Sequence, residues 1–259
     1  MSFDPVFRQV SALHQGFRPL ILALSLLGCG AVLVSPPVGA STMLQRLLIS
    51  RQCVACDLSG AVLMAANLVG ADLTRANLSG ANLREARLSR ATLRQVNLQE
   101  ADLAEAQLNG ADLAGANLSN LSAQGAAFNQ AELSDVQARE SDLTQITARE
   151  SDWYRSHLQN ARLDGAQMVQ AGLIEASLQG ASLRDVEMTG ASLIGADLTG
   201  ADLTGANLAF ALIRDADFTE VNFTDANLQN ADLVRSVLTG ATFCNTLMPD
   251  GSLNNEGCE

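Results

Sequence analysis

A large apolar side chain recurs at every fifth position from Leu58 to Phe243, with few exceptions. Alanine precedes most of these positions by two residues, and Asp or Asn often lies between, as in Ala71-Asp72-Leu73. On a helix every fifth side chain rotates by about 140°, and on a flat strand successive repeats fall on opposite faces. Neither element can collect these side chains, so the chain must turn once per repeat around a shared axis.

Glycine stands two residues after many of these leucines, for example at Gly60, Gly70 and Gly200. Glycine adopts positive φ without the steric cost that a Cβ atom imposes. The spacing therefore predicts a tight corner at that position of each repeat.

These residues resemble the pentapeptide-repeat family, whose pattern is close to Ala-Asp/Asn-Leu-x-x, over about three quarters of the chain. The resemblance implies an all-β fold, a right-handed quadrilateral parallel β-helix with 20 residues per coil and about 9–10 coils. The large residue and the small residue two before it would point inward, and the other three would face solvent. We expect this solenoid to span 56–245.

Residues 1–40 are predicted to be an export signal. Arg8 and Arg18 precede an apolar run from Leu20 to Val34, and Ala40 ends a small-residue cleavage motif. Two alternatives stay open. Cys29 ends a sequence that resembles a lipobox and would then be lipidated, or the segment remains as a membrane anchor.

Both ends of the repeat tract carry a predicted cap. Residues 41–55 have the pattern of a short amphipathic helix with Ser41 or Thr42 as N-cap. Residues 246–259 contain a turn signal at 249–251, while Met248 and Leu253 keep the five-residue spacing, as a loosened half-coil would. These ends resemble those of exported pentapeptide-repeat proteins of oxygenic photosynthetic bacteria, which implies a thylakoid lumen or a periplasm.

After export, four cysteines remain, and all lie at the ends of the tract: Cys53, Cys56, Cys244 and Cys258. A solenoid of this length is about 45 Å long, and a disulfide needs Cα atoms within about 7 Å. We therefore expect one disulfide at each end, Cys53–Cys56 and Cys244–Cys258. The first pair also has the spacing of a redox motif, but no βαβ pattern surrounds it, which favours a structural role.

The stretch 119–157 departs from the pattern, because alanine takes the large inward position at 123, 138 and 148 and Trp153 takes another. We expect a repacked core in which the indole fills the volume that Ala138 and Ala148 release, since close-packed interiors conserve volume. The alternative is an irregular interruption of the solenoid.

Composition limits the possible functions. The net charge of −12 argues against a nucleic-acid-binding surface, which needs basic residues. Lysine is absent, so no phosphate-binding loop can be completed, and His157 is the only histidine after the export signal. We expect no catalytic residues, no cofactor and no metal site.

The outward positions carry two columns at 20-residue spacing. Acidic side chains form one of them, at Asp72, Asp112, Glu132 and Asp152. Apolar side chains form the other, which is the candidate partner face, at Tyr154, Ile174, Ile194 and Val234, with Leu212 beside them. A row of apolar side chains in solvent indicates a contact surface for an unknown protein or a second copy of the chain.

Three hypotheses for function follow. The first is a non-catalytic structural or docking protein of an exported compartment. The second, by analogy with the family, is a DNA-mimicking modulator of topoisomerases, which would require a cytoplasmic protein. The third is a thiol-redox protein that uses Cys53 and Cys56.

Overall fold

The computed structural model describes residues 38–258, with side chains from Met43 onward. The predicted export signal, including Cys29, therefore lies outside the described residues except for its last three positions. Helix α1 spans Val38–Ser50, and two short strands, β1 Thr246–Leu247 and β2 Leu253–Asn254, lie near the C-terminus. Between α1 and β1 the chain is a long series of tight turns.

Parallel bridges between residues 20 apart join successive turns of the chain. They run in four ladders, from Gln52↔Asp72 at one end to Asn227↔Leu247 at the other. Each bridge involves one residue, because only a short extended stretch separates one corner from the next. The chain thus returns to the same side every 20 residues, which is the geometry of a β-solenoid.

Four of the five backbone N–H groups in a repeat have a backbone acceptor. In the repeat 81–85, Ala81 bonds back across the corner to Leu78 O (3.0 Å), and Asn82 bonds to the preceding turn at Ala61 O (2.9 Å). Leu83 and Glu85 bond to the following turn, at Asp102 O and Ala104 O.

The fifth N–H has no backbone acceptor, and the side chain at the Asp/Asn position supplies one. In the same repeat the N–H of Arg84 donates to Asn82 Oδ1 at 3.1 Å. Buried or crowded backbone groups must be paired, and Asp and Asn bond readily to the backbone two residues on. The preference for Asp or Asn in the repeat therefore has a local cause.

Every fifth residue from 55 to 245 has a positive φ, whether or not it is glycine. Gly205 (φ 70°) and Glu150 (φ 55°) adopt the same left-handed corner. This residue is the third of the four in each turn, where a positive φ is required. The prediction of corners is confirmed in position, but glycine marks only some of them.

The large and small inward positions form one continuous core, and residues 119–157 belong to it without a break. Trp153, Ala138 and Ala148 are fully buried, and the bridges continue through this stretch in register. Phe128, one turn before Ala148 in the same column, contacts the indole with ring centroids 6.3 Å apart. The structure therefore has the repacked core rather than the interruption.

Helix α1 begins and ends earlier than the predicted 41–55. Ser41 and Thr42 lie inside it, so their prediction as N-cap is wrong: Gly39 and Ala40 extend the helix, and serine and threonine are tolerated in helix interiors. The helix stops at Ser50 because Arg51 takes a left-handed conformation (φ 56°). No helix within residues 38–258 is long and apolar enough to cross a membrane.

The solenoid begins one repeat earlier than the predicted boundary at 56. Gln52 already bridges Asp72, and Cys53 occupies a large inward position with no exposed surface. Cysteine behaves as a small hydrophobic residue in a core, so it can fill this position although it is not a large side chain.

A hairpin closes the C-terminal end. Strand β1 pairs antiparallel with β2, in the register Thr246↔Asn254, and Leu247 also bridges Asn227 of the last turn. The chain reverses where the N–H of Gly251 bonds to Met248 O (3.0 Å). Leu253 is exposed as a result, so its five-residue spacing does not indicate an inward position.

Candidate partner surface

The predicted apolar column stacks on one side of the solenoid. Backbone bonds join its members in sequence: the N–H of Arg155 bonds to Ile174 O (3.0 Å), and that of Glu175 bonds to Ile194 O (2.9 Å). Asp215 N–H bonds to Val234 O in the same way. The column is thus continuous along the backbone, with Arg214 between Ile194 and Val234.

Exposure is uneven along this column. Val234 and the neighbouring Leu212 expose 52% and 44% of their surface, whereas Tyr154, Ile174 and Ile194 are half-buried. The apolar area open to a partner therefore lies at the C-terminal end of the column rather than along its whole length.

Tyr154 at the other end is partly covered by its neighbour. The guanidinium of Arg155 lies over the Tyr154 ring, 4.7 Å from its centroid, and is held there by an ion pair with Asp135 (3.0 Å). A cation over an aromatic face is attracted by the ring quadrupole. Tyr154 is consequently less available for contact than Leu212 or Val234.

Phe210 is an exposed aromatic residue that the sequence analysis did not select. It exposes 60% of its surface at a corner with φ 59°, two residues before Leu212. A bulky side chain at positive φ is sterically unfavourable and uncommon. Other residues of this corner column are Gln170, Gly190 and Asn230. The signal that could have identified Phe210 is an aromatic residue at a position where the other repeats have glycine, alanine or polar side chains.

We call the exposed set Phe210, Leu212 and Val234 the C-terminal partner face. Two ion pairs border it, Arg214 with Asp232 (2.6 Å) and Arg235 with Asp215. The hydrogen bond from Arg235 lowers the pKa of Asp215, and that from Arg214 lowers the pKa of Asp232. Both carboxylates thus stay charged at neutral pH and form a polar border beside Leu212 and Val234.

The acidic column has a structural use. Asp72, Asp112 and Asp152 each accept the backbone N–H two residues on, Thr74 at 3.0 Å, Ala114 at 3.2 Å and Tyr154 at 2.9 Å. Glu132 does the same for Ser134. Asp112 also pairs with Arg94. These carboxylates belong to the hydrogen bonding of the corners.

The cysteines are joined at each end of the solenoid. Cys53–Cys56 has a Cα–Cα distance of 5.3 Å and Cys244–Cys258 one of 4.7 Å. His157 lies on a flat side, half-buried, in a ladder with Gln137 and Ser177. Residues 38–258 contain no group of three or more His, Cys, Asp or Glu side chains placed to hold a metal ion.

The model of the Pentapeptide repeats family matches the chain over 56–95, 97–135, 171–208 and 201–240, which is more than half of its length. The chain is similar to the crystal structure of HetL from the cyanobacterium Nostoc sp. strain PCC 7120, a pentapeptide repeat protein involved in heterocyst differentiation regulation. The two are 33% identical, the match covers 78% of this chain and 89% of HetL, and the TM-score is 0.62.

Two further structures are more distant. QnrB1, a plasmid-mediated fluoroquinolone resistance protein, is 20% identical over 62% of this chain and 90% of its own, with a TM-score of 0.36. A pentapeptide repeat protein of the Arabidopsis thaliana thylakoid lumen is 29% identical over 36% of this chain and 71% of its own, with a TM-score of 0.18. No protein with a curated description matches the chain significantly.

The similarity to HetL extends over most of both chains and agrees with the family match. Together they imply that the solenoid is a right-handed β-helix.

Proposed function

Because the chain belongs to the pentapeptide repeat family, we propose that it is a non-catalytic protein-interaction solenoid that binds a protein through the C-terminal partner face. The fold alone does not determine a function, so the proposal depends on this surface. The partner is a protein with an apolar patch of matching size or a second copy of the chain.

The observation that carries the proposal is Phe210. An exposed phenylalanine at positive φ costs folding free energy, and the repeat accepts glycine at the same corner in the preceding turn, at Gly190. Positive φ is shared by every corner of the solenoid, so what distinguishes Phe210 is a large exposed aromatic side chain at such a corner. Large aromatic side chains are also the residues that contribute most to protein interfaces.

The residues beside Phe210 enlarge the exposed apolar area that a partner could contact. Leu212 and Val234 add exposed apolar area on the adjoining side of the solenoid. The ion pairs of Arg214 and Arg235 place charge beside Leu212 and Val234. An apolar centre within a polar rim is the usual arrangement of a protein interface.

Replacing Phe210 by glycine separates binding from folding. Glycine relieves the left-handed strain, so we expect the free energy of unfolding to stay equal or rise by about 1 kcal/mol, while association with the partner is lost. Pull-down from the native compartment and sedimentation measure association, and the latter distinguishes a second copy from another protein.

Gln170→Gly is the matched control, because Gln170 lies in the same corner column at φ 57°. It should give the same small gain in stability and leave association unchanged. If Phe210→Gly binds its partner as the unchanged chain does, the C-terminal partner face is ordinary surface and the proposal is wrong.

We further propose that the protein works in an exported compartment, a thylakoid lumen or periplasm. The predicted export signal and the two disulfides support this, since disulfides persist in oxidising compartments. Cell fractionation should place the chain there, without residues before about Ser41 if the signal is cleaved. Recovery of the intact chain from Met1 onward in the soluble cytoplasm would contradict this placement.

A further inference from the structure

Large apolar side chains that are exposed occur only near the two ends of the part that the structure describes. One group lies within 210–253 and includes the C-terminal partner face. The other, which we call the N-terminal patch, consists of Met43, Leu48, Ile49, Val54, Val62 and Met64. These six residues belong to α1 or to the first 20-residue turn of the solenoid.

Helix α1 presents part of this patch in a fixed orientation. Leu47 is fully buried and Leu44 packs against the core of the first turn, so one side of the helix is fastened to the solenoid. Leu48 and Ile49 are exposed, Ile49 by 85%. Capping of the solenoid accounts for Leu44 and Leu47 but gives no reason for two exposed large aliphatic residues.

The charge of this end differs from that of the rest of the protein. The chain has a net charge of −12, yet residues 38–56 contain no Asp or Glu and two cations, Arg46 and Arg51. The first carboxylate after α1 is that of Asp57. A helix with exposed apolar residues and cations favours an anionic lipid surface, whereas the acidic remainder of the chain is repelled by it.

The sequence places a membrane-directed segment next to the patch. The apolar run from Leu20 to Val34 is separated from Val38 by three residues, Ser35, Pro36 and Pro37. Helix α1, which carries Leu48 and Ile49, therefore follows this run directly in the sequence.

We infer that the N-terminal end of the solenoid rests against an anionic bilayer, with Leu48 and Ile49 inserted at the boundary between headgroups and acyl chains. The C-terminal partner face would then be carried away from the membrane by the length of the solenoid, on the order of 45 Å. The inference applies to the form of the chain in which residues 1–40 are kept as a membrane anchor. It does not depend on the identity of the protein partner.

Quenching by brominated lipids tests this orientation in the full chain. The chain is reconstituted in vesicles of phosphatidylcholine and phosphatidylglycerol with brominated acyl chains, and a tryptophan reporter is introduced by Ile49→Trp or, as the matched control, by Val234→Trp. Both positions are exposed, so neither change disturbs the core. Trp153 is fully buried and contributes a constant background.

We expect the reporter at 49 to lose roughly half or more of its emission and to shift to shorter wavelength, because interfacial apolar side chains enter the bilayer by about 5–10 Å. The reporter at 234 should be unaffected. Replacing phosphatidylglycerol by phosphatidylcholine should weaken the quenching at 49 if Arg46 and Arg51 contribute.

Two results would overturn the inference. The first is absence of quenching at 49 in vesicles that carry the chain. It would mean that only the apolar run from Leu20 to Val34 contacts the lipid, or that this run or a second copy of the chain covers the N-terminal patch. Equal quenching at 49 and 234 would mean that the solenoid lies along the membrane. Arg46→Gln combined with Arg51→Gln, in the chain that carries the reporter at 49, should abolish the anionic-lipid dependence while leaving the circular dichroism spectrum unchanged.

Discussion

Replacing Trp153 by alanine is expected to lower the free energy of unfolding by about 3–5 kcal/mol, the cost of removing a large buried aromatic side chain. The indole has no exposed surface and contacts Phe128 across the core. The neighbouring large inward position holds only Ala148, so no adjacent side chain can move into the space. Urea denaturation followed by circular dichroism measures the loss.

A leucine exchange shows whether the core is repacked around the indole. Leucine is the usual residue at this position of the repeat, but Trp153→Leu alone should still destabilise the protein because Ala148 leaves a cavity. Ala148→Leu alone should overpack the core and cost about 1–3 kcal/mol. The two changes together should recover most of the loss, which would be a strongly non-additive result. Full stability of Trp153→Leu by itself would contradict the repacking.

The indole also completes a buried hydrogen-bond chain. Its Nε1–H donates to Ser151 Oγ at 2.8 Å, and the hydroxyl of Ser151 donates to Ala148 O at 2.6 Å. Ser151 occupies the position that is alanine in most repeats, and it is buried. Serine there is explained by the indole, because a buried N–H without an acceptor costs about 1–3 kcal/mol.

The five-residue period was sufficient to predict that the chain turns once per repeat around a shared axis, since no helix or flat strand can bury such a pattern. The four-sided solenoid was implied by the family resemblance. The direction of each side chain follows directly from the period, and Leu73, Leu113 and Leu203 are all fully buried as expected. The prediction was reliable here because one local rule is repeated in a single register and each turn contacts only its neighbours.

The ends could not be predicted as well, because the repeat no longer determines them. Leu253 keeps the spacing but lies beyond a chain reversal, so its side chain is exposed. Ser41 has the character of an N-cap, yet the residues before it continue the helix. A chain reversal after Met248 decides the conformation at Leu253, and continuation of the helix through the preceding residues decides it at Ser41.

Outward positions were the least predictable part of the candidate site. Spacing of 20 residues correctly placed Ile174 and Ile194 in one column, but exposure depends on the neighbours that cover each side chain. Phe210 was missed because the sequence analysis searched for similar side chains at 20-residue spacing. A single aromatic residue in a corner column of glycine and polar residues does not form such a row. Asp72 was grouped with an acidic surface although its carboxylate accepts the N–H of Thr74.

Loss of the Cys244–Cys258 disulfide should have the second large effect on stability and should act locally. The bond closes a loop with a sequence separation of 14, and a loop of this length is worth about 3 kcal/mol in the chain-entropy model. It holds the hairpin against the last turn, where Phe243 N–H bonds to Glu256 O (2.9 Å). Cys244→Ser with Cys258→Ser should therefore release the hairpin.

The change should remain near the C-terminus, because the interactions of a solenoid are between nearest neighbours. Leu228 N–H bonds to Leu247 O and Leu247 N–H bonds to Ala226 O, so both amides should exchange with solvent faster in the variant. The amide of Leu113, far from the hairpin, should keep its protection. Hydrogen exchange with residue resolution measures all three.

The N-terminal disulfide provides the control. Cys53–Cys56 has a sequence separation of only 3, so its removal should cost about 1 kcal/mol less by the same loop-length scaling and should affect the first turn. Uniform loss of protection along the solenoid in the Cys244→Ser, Cys258→Ser variant would contradict local capping. Mass spectrometry of unreduced protein should find no free thiol at these four cysteines, and four free thiols would exclude both disulfides.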